Sequence, residues 1–253
     1  MINRGFYTLF YKETLRFYKV ALQTILAPII TTLLYFMVFS HVLEGRVMVF
    51  EEISYTSFLI PGLVMMTIIQ NAFANSSSSL IQSKVTGNIV FVLLTPLSYV
   101  EFYLAFMLAA VVRGIVVGVG VLLVAICFVS VPVHSFLFLL LFAVLGSAVL
   151  GTLGIIAGIW AEKFDQLAGF QNFVIMPLSF LSGVFYSIHS LPPFWQFVSH
   201  LNPFFYMIDG FRYGFFGVSD TSPWISLAIM VVAFSGLASF AIKLLKQGYR
   251  LRH

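Results

Sequence analysis

Six apolar runs, each near or beyond the length of a bilayer crossing, decide what this chain can fold into. They cover residues 22–43, 57–77, 99–129, 135–160, 170–187 and 224–245. A helix needs ~20 mainly apolar residues to cross the hydrocarbon core. Backbone N–H and C=O groups meet no water there, so each run must pair them internally, as a helix. The polar stretches between the runs are too short to fold alone. The expectation is an all-α polytopic membrane protein with six transmembrane helices, residues 1–253 forming a single membrane domain. Composition agrees: 9% of residues are charged, against roughly 25% in a soluble domain.

The few charges report topology. If the runs alternate in direction, Arg4, Lys12, Arg16, Lys19, Lys84, Lys163, Lys243, Lys246, Arg250 and Arg252 fall on one side. The other side holds only Arg46 and Arg212, set among Glu44, Glu51, Glu52, Asp209 and Asp220. Loops rich in Lys and Arg stay inside, so both termini are expected in the cytoplasm. The net charge of +4 then concerns orientation, and nucleic acid is not an expected partner. No short apolar core with a small-residue cleavage site follows the first basic residues, so a cleavable signal peptide is not expected.

Lys12, Arg16 and Lys19 recur at i, i+4 and i+7 beside Phe6, Phe10, Leu15, Phe17 and Tyr18. This spacing predicts an amphipathic interface helix on the cytoplasmic leaflet. A plain basic anchor before the first run explains the same residues. The apolar stretch 97–129 would make ~50 Å of helix, against a ~30 Å hydrocarbon core. Arg113 lies inside it, in the inner part of the membrane and near enough to snorkel. A charge within a span marks either a functional position or a structural pair, and both readings stay open. Gly114 and Gly118, and Gly146, Gly151, Gly154 and Gly158, mark faces for close helix approach, within one chain or between two.

Catalytic and energy-converting signatures are missing. The sequence has no GxxxxGK[ST], HExxH or CxxC and no paired carboxylates within a run, so no phosphate cradle or metal site is expected. A single cysteine, Cys127, excludes an internal disulfide. His41, His134, His189, His200 and His253 are scattered near expected interfaces. Ion-coupled transport needs ionisable groups near the midplane; only Arg113 is a candidate, and arginine does not cycle its proton. Any uphill transport would draw its energy from a partner.

Residues 180–214, FLSGVFYSIHSLPPFWQFVSHLNPFFYMIDGFRYG, are too broken for one span and too apolar for a wet loop. Pro192-Pro193 and Asn202-Pro203 interrupt any helix there. Phe194, Trp195, Phe204, Phe205 and Tyr206 suit a membrane interface.

These pieces together resemble the ABC-2 type permeases, the inner-membrane transport permeases of bacteria. The resemblance rests on IPGLVMM (60–66), NAFAN (71–75), LLTPLS (93–98), Arg113-Gly114, SGVFY (182–186), LPPFW (191–195) and LNPFFY (201–206). It implies a bacterial inner-membrane location and a homodimer of permeases above two copies of a separate ATPase. It implies no cofactor on this chain, with ATP and magnesium on the partner. It implies a coupling helix over about residues 82–94, assigned to Gln82, Lys84, Gly87, Asn88, Val90, Leu93 and Leu94 with Pro96 beyond. Val90 stands where relatives usually carry an acid, which points to a more apolar contact with the ATPase. It also implies two short re-entrant helices between spans five and six. They would form an outer lid with Phe185, Tyr186, Pro192, Pro193, Trp195, Asn202, Pro203 and Tyr206. An aromatic belt without gating is the plainer reading of the same residues.

The expected function is the permease subunit of an ATP-driven exporter for a hydrophobic or amphipathic substrate: a drug, a lipid or a glycan-type molecule. A stand-alone secondary transporter or channel is the alternative. An intramembrane enzyme using His189 or His200, and a non-transporting scaffold, complete the set.

Overall fold

The computed structural model describes residues 4–43 and 53–250. Glu44, Arg46, Glu51, Glu52, Arg252 and His253, part of the charge and histidine readings above, lie outside the described residues. The described chain is helical throughout, apart from turns and short loops. In order it forms α1 (Arg4–Lys19), α2 (Ala21–Leu43), α3 (Tyr55–Val85), α4 (Ile89–Leu93), α5 (Tyr99–Ala125) and α6 (Phe136–Trp160). Then come α7 (Phe164–Phe170), a π turn (Gln171–Ile175), α8 (Met176–Phe180) and a 3-10 turn (Ile188–Ser190). The fold ends in α9 (Pro193–His200), α10 (Pro203–Phe216) and α11 (Pro223–Gln247).

Five of these helices, α2, α3, α5, α6 and α11, are long and apolar enough to cross a membrane. The fifth apolar run behaves differently. Its helical stretch starts earlier than expected, at Phe164, and stops at Phe180 in pieces of seven, five and five residues. The Met176 N–H donates to the Gln171 carbonyl, widening the turn just before Pro177, and π bulges of this kind are helical irregularities with an identifiable cause. Beyond Phe180, Gly183 takes a left-handed φ of 75°, which a side-chain-bearing residue rarely adopts. The helix therefore cannot run on to Ser187.

α3 is the spine. Almost all of it is buried, while α2 and α11 remain largely exposed on the outside of the bundle. α5 and α6 press closely on α3 because their glycines carry no side chain at the crossing points. A Cβ at Gly154 would lie 2.5 Å from the Phe73 carbonyl oxygen, and one at Gly158 2.7 Å from Leu80. Gly114, Gly118, Gly146 and Gly151 also sit against neighbouring helices of the same chain, as small-residue packing in lipid requires. α10 is packed into the bundle against α3, α6 and α11, with Phe204, Phe205, Met207, Ile208 and Phe215 in the core. α9 is its opposite: Phe194, Trp195 and Phe197 all face outward.

The two ends of the bundle differ in charge. Contacts join Arg16 to α3, Lys84 to the end of α6, and Arg250 to Trp160 and Glu162. This is the basic end. The far end carries residues 181–192, α9 and the loop 217–222, tied to the start of α3 by the Tyr55 hydroxyl, which donates to the Phe185 carbonyl at 2.9 Å.

Candidate functional site

At the basic end, a polar ladder runs up one face of α3. Asn71, Asn75 and Ser79 are spaced four apart and so share a side of the helix. Each rung takes one charged partner. Ser79 Oγ donates to Glu13 at 2.5 Å. Arg16 Nη2 donates to the Asn75 backbone carbonyl at 2.8 Å and to its side-chain oxygen at 3.4 Å. Arg113 Nη2 donates to Asn71 Oδ1 at 3.3 Å, with its guanidinium 5.8 Å from the Phe17 ring. Glu13 is fully buried, flanked by Arg16 Nε at 3.5 Å and Lys12 Nζ at 3.6 Å. Thus α1 docks on the bundle by charge as well as by its apolar face. Lys12 and Lys19 stay exposed, while Arg16 turns inward. Glu13 was missed in the sequence, although it lies four residues from both Leu9 and Phe17 on the buried stripe. That spacing was the available signal.

The segment between α3 and α5 is built from a reversal at Gly87, φ 73°, and the short helix α4. Ile89 is the buried residue of α4. Val90, Phe91, Leu93 and Leu94 face outward, with Phe91 71% exposed. Gln82, Asn88 and Pro96 are exposed beside them. Ser98 and Glu101 form a reciprocal capping box that restarts the chain as α5, a pairing that satisfies otherwise orphaned backbone donors. Lys84 has an internal job. Its ammonium donates to the carbonyls of Ile159 at 2.8 Å and Ala161 at 2.6 Å. It thereby closes the C-terminal end of α6, where a cation is favoured. Between α1 and α4 lies a groove of about 560 Å³, lined by Gly5, Thr8, Leu9 and Lys12 against Phe91, Val92 and Pro96. Sequence reasoning passed over Ile89, Phe91 and Val92 of this element.

The far end holds a second charged cluster, made of residues first read only as loop charges. Asp209 on α10 accepts from the backbone N–H of Asp220 at 2.8 Å and of Thr221 at 2.9 Å. Asp220 accepts from Ser187 Oγ at 2.6 Å and the Ile188 N–H at 3.0 Å. Arg212 is fully buried; it donates to the Gly183 carbonyl at 2.7 Å and lies 3.8 Å over the Phe58 ring. His189 Nε2 sits 3.9 Å from Asp220. Loop 181–190, α10 and loop 217–222 are thus fastened together.

The residues assigned to the lid divide around this fastening. Phe185 packs on Tyr35 and Phe39 of α2, with centroids 5.9 and 4.7 Å away. The Tyr186 hydroxyl donates to the Phe180 carbonyl. Pro192 caps α9 and Pro193 fills its first turn, where a missing N–H does no harm. Asn202 caps α10 through the Phe204 N–H and donates to the Leu178 carbonyl at 2.7 Å. Pro203 follows it at the first helical position. Tyr206 donates to the His200 carbonyl at 2.8 Å. Trp195 is left outward on α9.

Between the two ends, α2 and α3 line an open-sided cavity of about 260 Å³. Its apolar wall carries Thr31, Thr32, Tyr35, Thr67, Gln70 and Asn71. Thr32 and Thr67 pair at 3.2 Å. Among the described residues, the Gln70 amide reaches the Met176 sulfur, at 3.7 Å.

Known proteins share this sequence pattern over three quarters of its length or more. The inner membrane transport permease YadH of Escherichia coli K12 is 38% identical over 241 residues, 95% of this chain and 94% of that protein. The capsule polysaccharide export inner-membrane protein CtrC of Neisseria meningitidis serogroup B is 25% identical, over 75% of this chain and 71% of its own. Nodulation protein J of Rhizobium meliloti is 25% identical, over 77% of this chain and 74% of its own. The family described as ABC-2 type transporter matches residues 4–216. On that match and on its bundle of apolar helices, this multi-pass chain belongs to the ABC-2 type transporter family, as a membrane subunit of an ABC transporter.

Proposed function

We propose that this chain is the permease of an ATP-driven exporter in the bacterial inner membrane. Two copies enclose the path, and two copies of a separate ATPase bind ATP and magnesium beneath them. Each permease crosses the bilayer six times, the segment from α7 to α8 serving as the fifth span, with both termini in the cytoplasm. α1 lies along the cytoplasmic surface. The last turn of α3 and α4 form the element that the ATPase moves, and the 3-10 turn, α9 and α10 make a re-entrant lid at the outer mouth.

The observation that carries this reading is α4. One buried residue, Ile89, holds it, while Val90, Phe91, Leu93 and Leu94 point away from the chain beside the α1 groove. A contiguous apolar patch at the charged end of a bundle calls for a protein partner. A short rigid element set between two spans can pass work only if its contacts differ between two states of that partner. The cargo reading rests on the cavity between α2 and α3, whose hydroxyl and amide groups on an apolar wall suit an amphipathic molecule.

The test is purification of the chain with its ATPase. The expected result is a stable complex whose ATP hydrolysis rises with an amphipathic co-purifying molecule. Uphill export by the isolated chain in liposomes, without ATP, would sink the proposal and favour a secondary transporter.

A further inference from the structure

We propose that Arg113 forms one side of a binding site for a phosphate oxyanion, supplied by the headgroup of an anionic lipid in the cytoplasmic leaflet. The charges of the α3 ladder do not balance. Lys12 and Arg16 flank one carboxylate, Glu13, which also accepts from Ser79, and Arg113 stands one rung beyond Arg16 on the ladder. Among the described residues no carboxylate lies within ion-pair distance of Arg113. Glu101 shares its helix but stands ~18 Å away along it. Among the described residues Arg113 has one hydrogen bond, at 3.3 Å to Asn71, and its buried Nε has no partner. Arg16 repels it. Close by, Asn75 is fully buried and its Nδ2 donor has no partner either. Among the described residues Arg16 Nε and Glu13 Oε1 also lack hydrogen bonds, though each has an ion-pair partner at 3.5 or 3.6 Å. The ladder therefore offers unanswered donors and, with three cations to one carboxylate, a surplus of positive charge.

A cation out of water needs a counter-charge or several hydrogen bonds. The guanidinium fork matches two phosphate oxygens at once. Depth favours the bilayer as the source. Arg113 packs on Phe17, two residues before the end of α1. If α1 lies at the membrane surface, as proposed above and as this inference requires, the guanidinium reaches the headgroup boundary. Free phosphate offers the same oxygens, so the test must separate the two sources.

The full chain in lipid nanodiscs, together with its ATPase, is assayed for retention of labelled phosphatidylglycerol against phosphatidylcholine. The wild type is expected to prefer phosphatidylglycerol. R113Q should lower that preference about fivefold, the effect of one juxtamembrane cation, and R113K should keep most of it. Equal retention of both lipids by the wild type, or an unchanged preference in R113Q, overturns the site. Displacement of the lipid by inorganic phosphate would move the source to the aqueous phase and overturn the lipid assignment. ATPase recovery with each variant is scored separately, so loss of the complex tests the subunit assignment and lipid preference tests Arg113. If R113Q does not assemble, Asn71→Ala, which loosens the guanidinium and keeps its charge, supplies the same readout.

Discussion

The bundle has a charged cluster at each end, and the two are built on opposite plans. At the far end, two carboxylates, Asp209 and Asp220, take four hydrogen bonds at 2.6–3.0 Å, three of them from backbone N–H groups. Arg212 fills the space between a carbonyl and a phenyl ring. At the basic end, cations outnumber the carboxylate, and apart from the Asn75 backbone carbonyl held by Arg16, their hydrogen-bond partners are amide and hydroxyl side chains along one helix. Backbone donors cannot rotate away, so the far cluster is a rigid fastening. Side-chain partners on a helix face can be exchanged as α1 shifts against α3. A buried charge is tolerated by either plan, but the second leaves more of its pairing to side chains that can re-pair.

The largest effect should come from Arg212. Arg212→Met leaves Asp209 and Asp220 without their buried cation and should lower stability by ~3–5 kcal/mol, read as a thermal melt of the purified chain. Glu13→Ala should cost ~1–3 kcal/mol, because Ser79 and Arg16 lose a buried acceptor. A larger loss from Glu13 than from Arg212 would reverse the contrast of rigid and exchangeable ends. Since the clusters share no side chain, the double variant should be additive to within ~0.5 kcal/mol; strong coupling would mean that the ends communicate through α3. Lys84→Met should cost ~0.3–1 kcal/mol, the loss of a cation at a helix C-terminus. Val90→Asp should shift stability by no more than ~0.5 kcal/mol, as at other exposed positions, while changing ATPase stimulation by the permease. Unchanged stimulation and unchanged recovery of the complex would remove α4 from the coupling role.

How much was legible follows from the same contrast. The long helices could be read directly, because lipid allows an apolar run no other way to satisfy its backbone. The breaks before α9 and α10 were visible in Pro192, Pro193 and Pro203. The fifth run was placed several residues late, since hydropathy does not register a π turn ahead of Pro177 or a left-handed Gly183. The far cluster was invisible locally. Arg212 meets Gly183, 29 positions earlier, and Asp209 meets residues 11 and 12 positions later. No periodicity carries that information. The spacing of Lys12, Arg16 and Lys19 predicts one polar face of an interface helix and does not announce the inward turn of Arg16. Lys84, grouped with the coupling residues, also stitches α3 to the end of α6, which no local pattern announces.

That stitch has a consequence for how the family can diversify. α4 is pinned by Ile89 below and by the Lys84 clasp behind, while the outward side chains of Val90, Phe91 and Leu94 take no part in the buried core. Their identities can be rewritten without disturbing the fold. With α4 meeting the ATPase as proposed, the choice of motor would rest on a surface that can change while its frame stays, and grafting another permease's three residues at these positions should re-address this one.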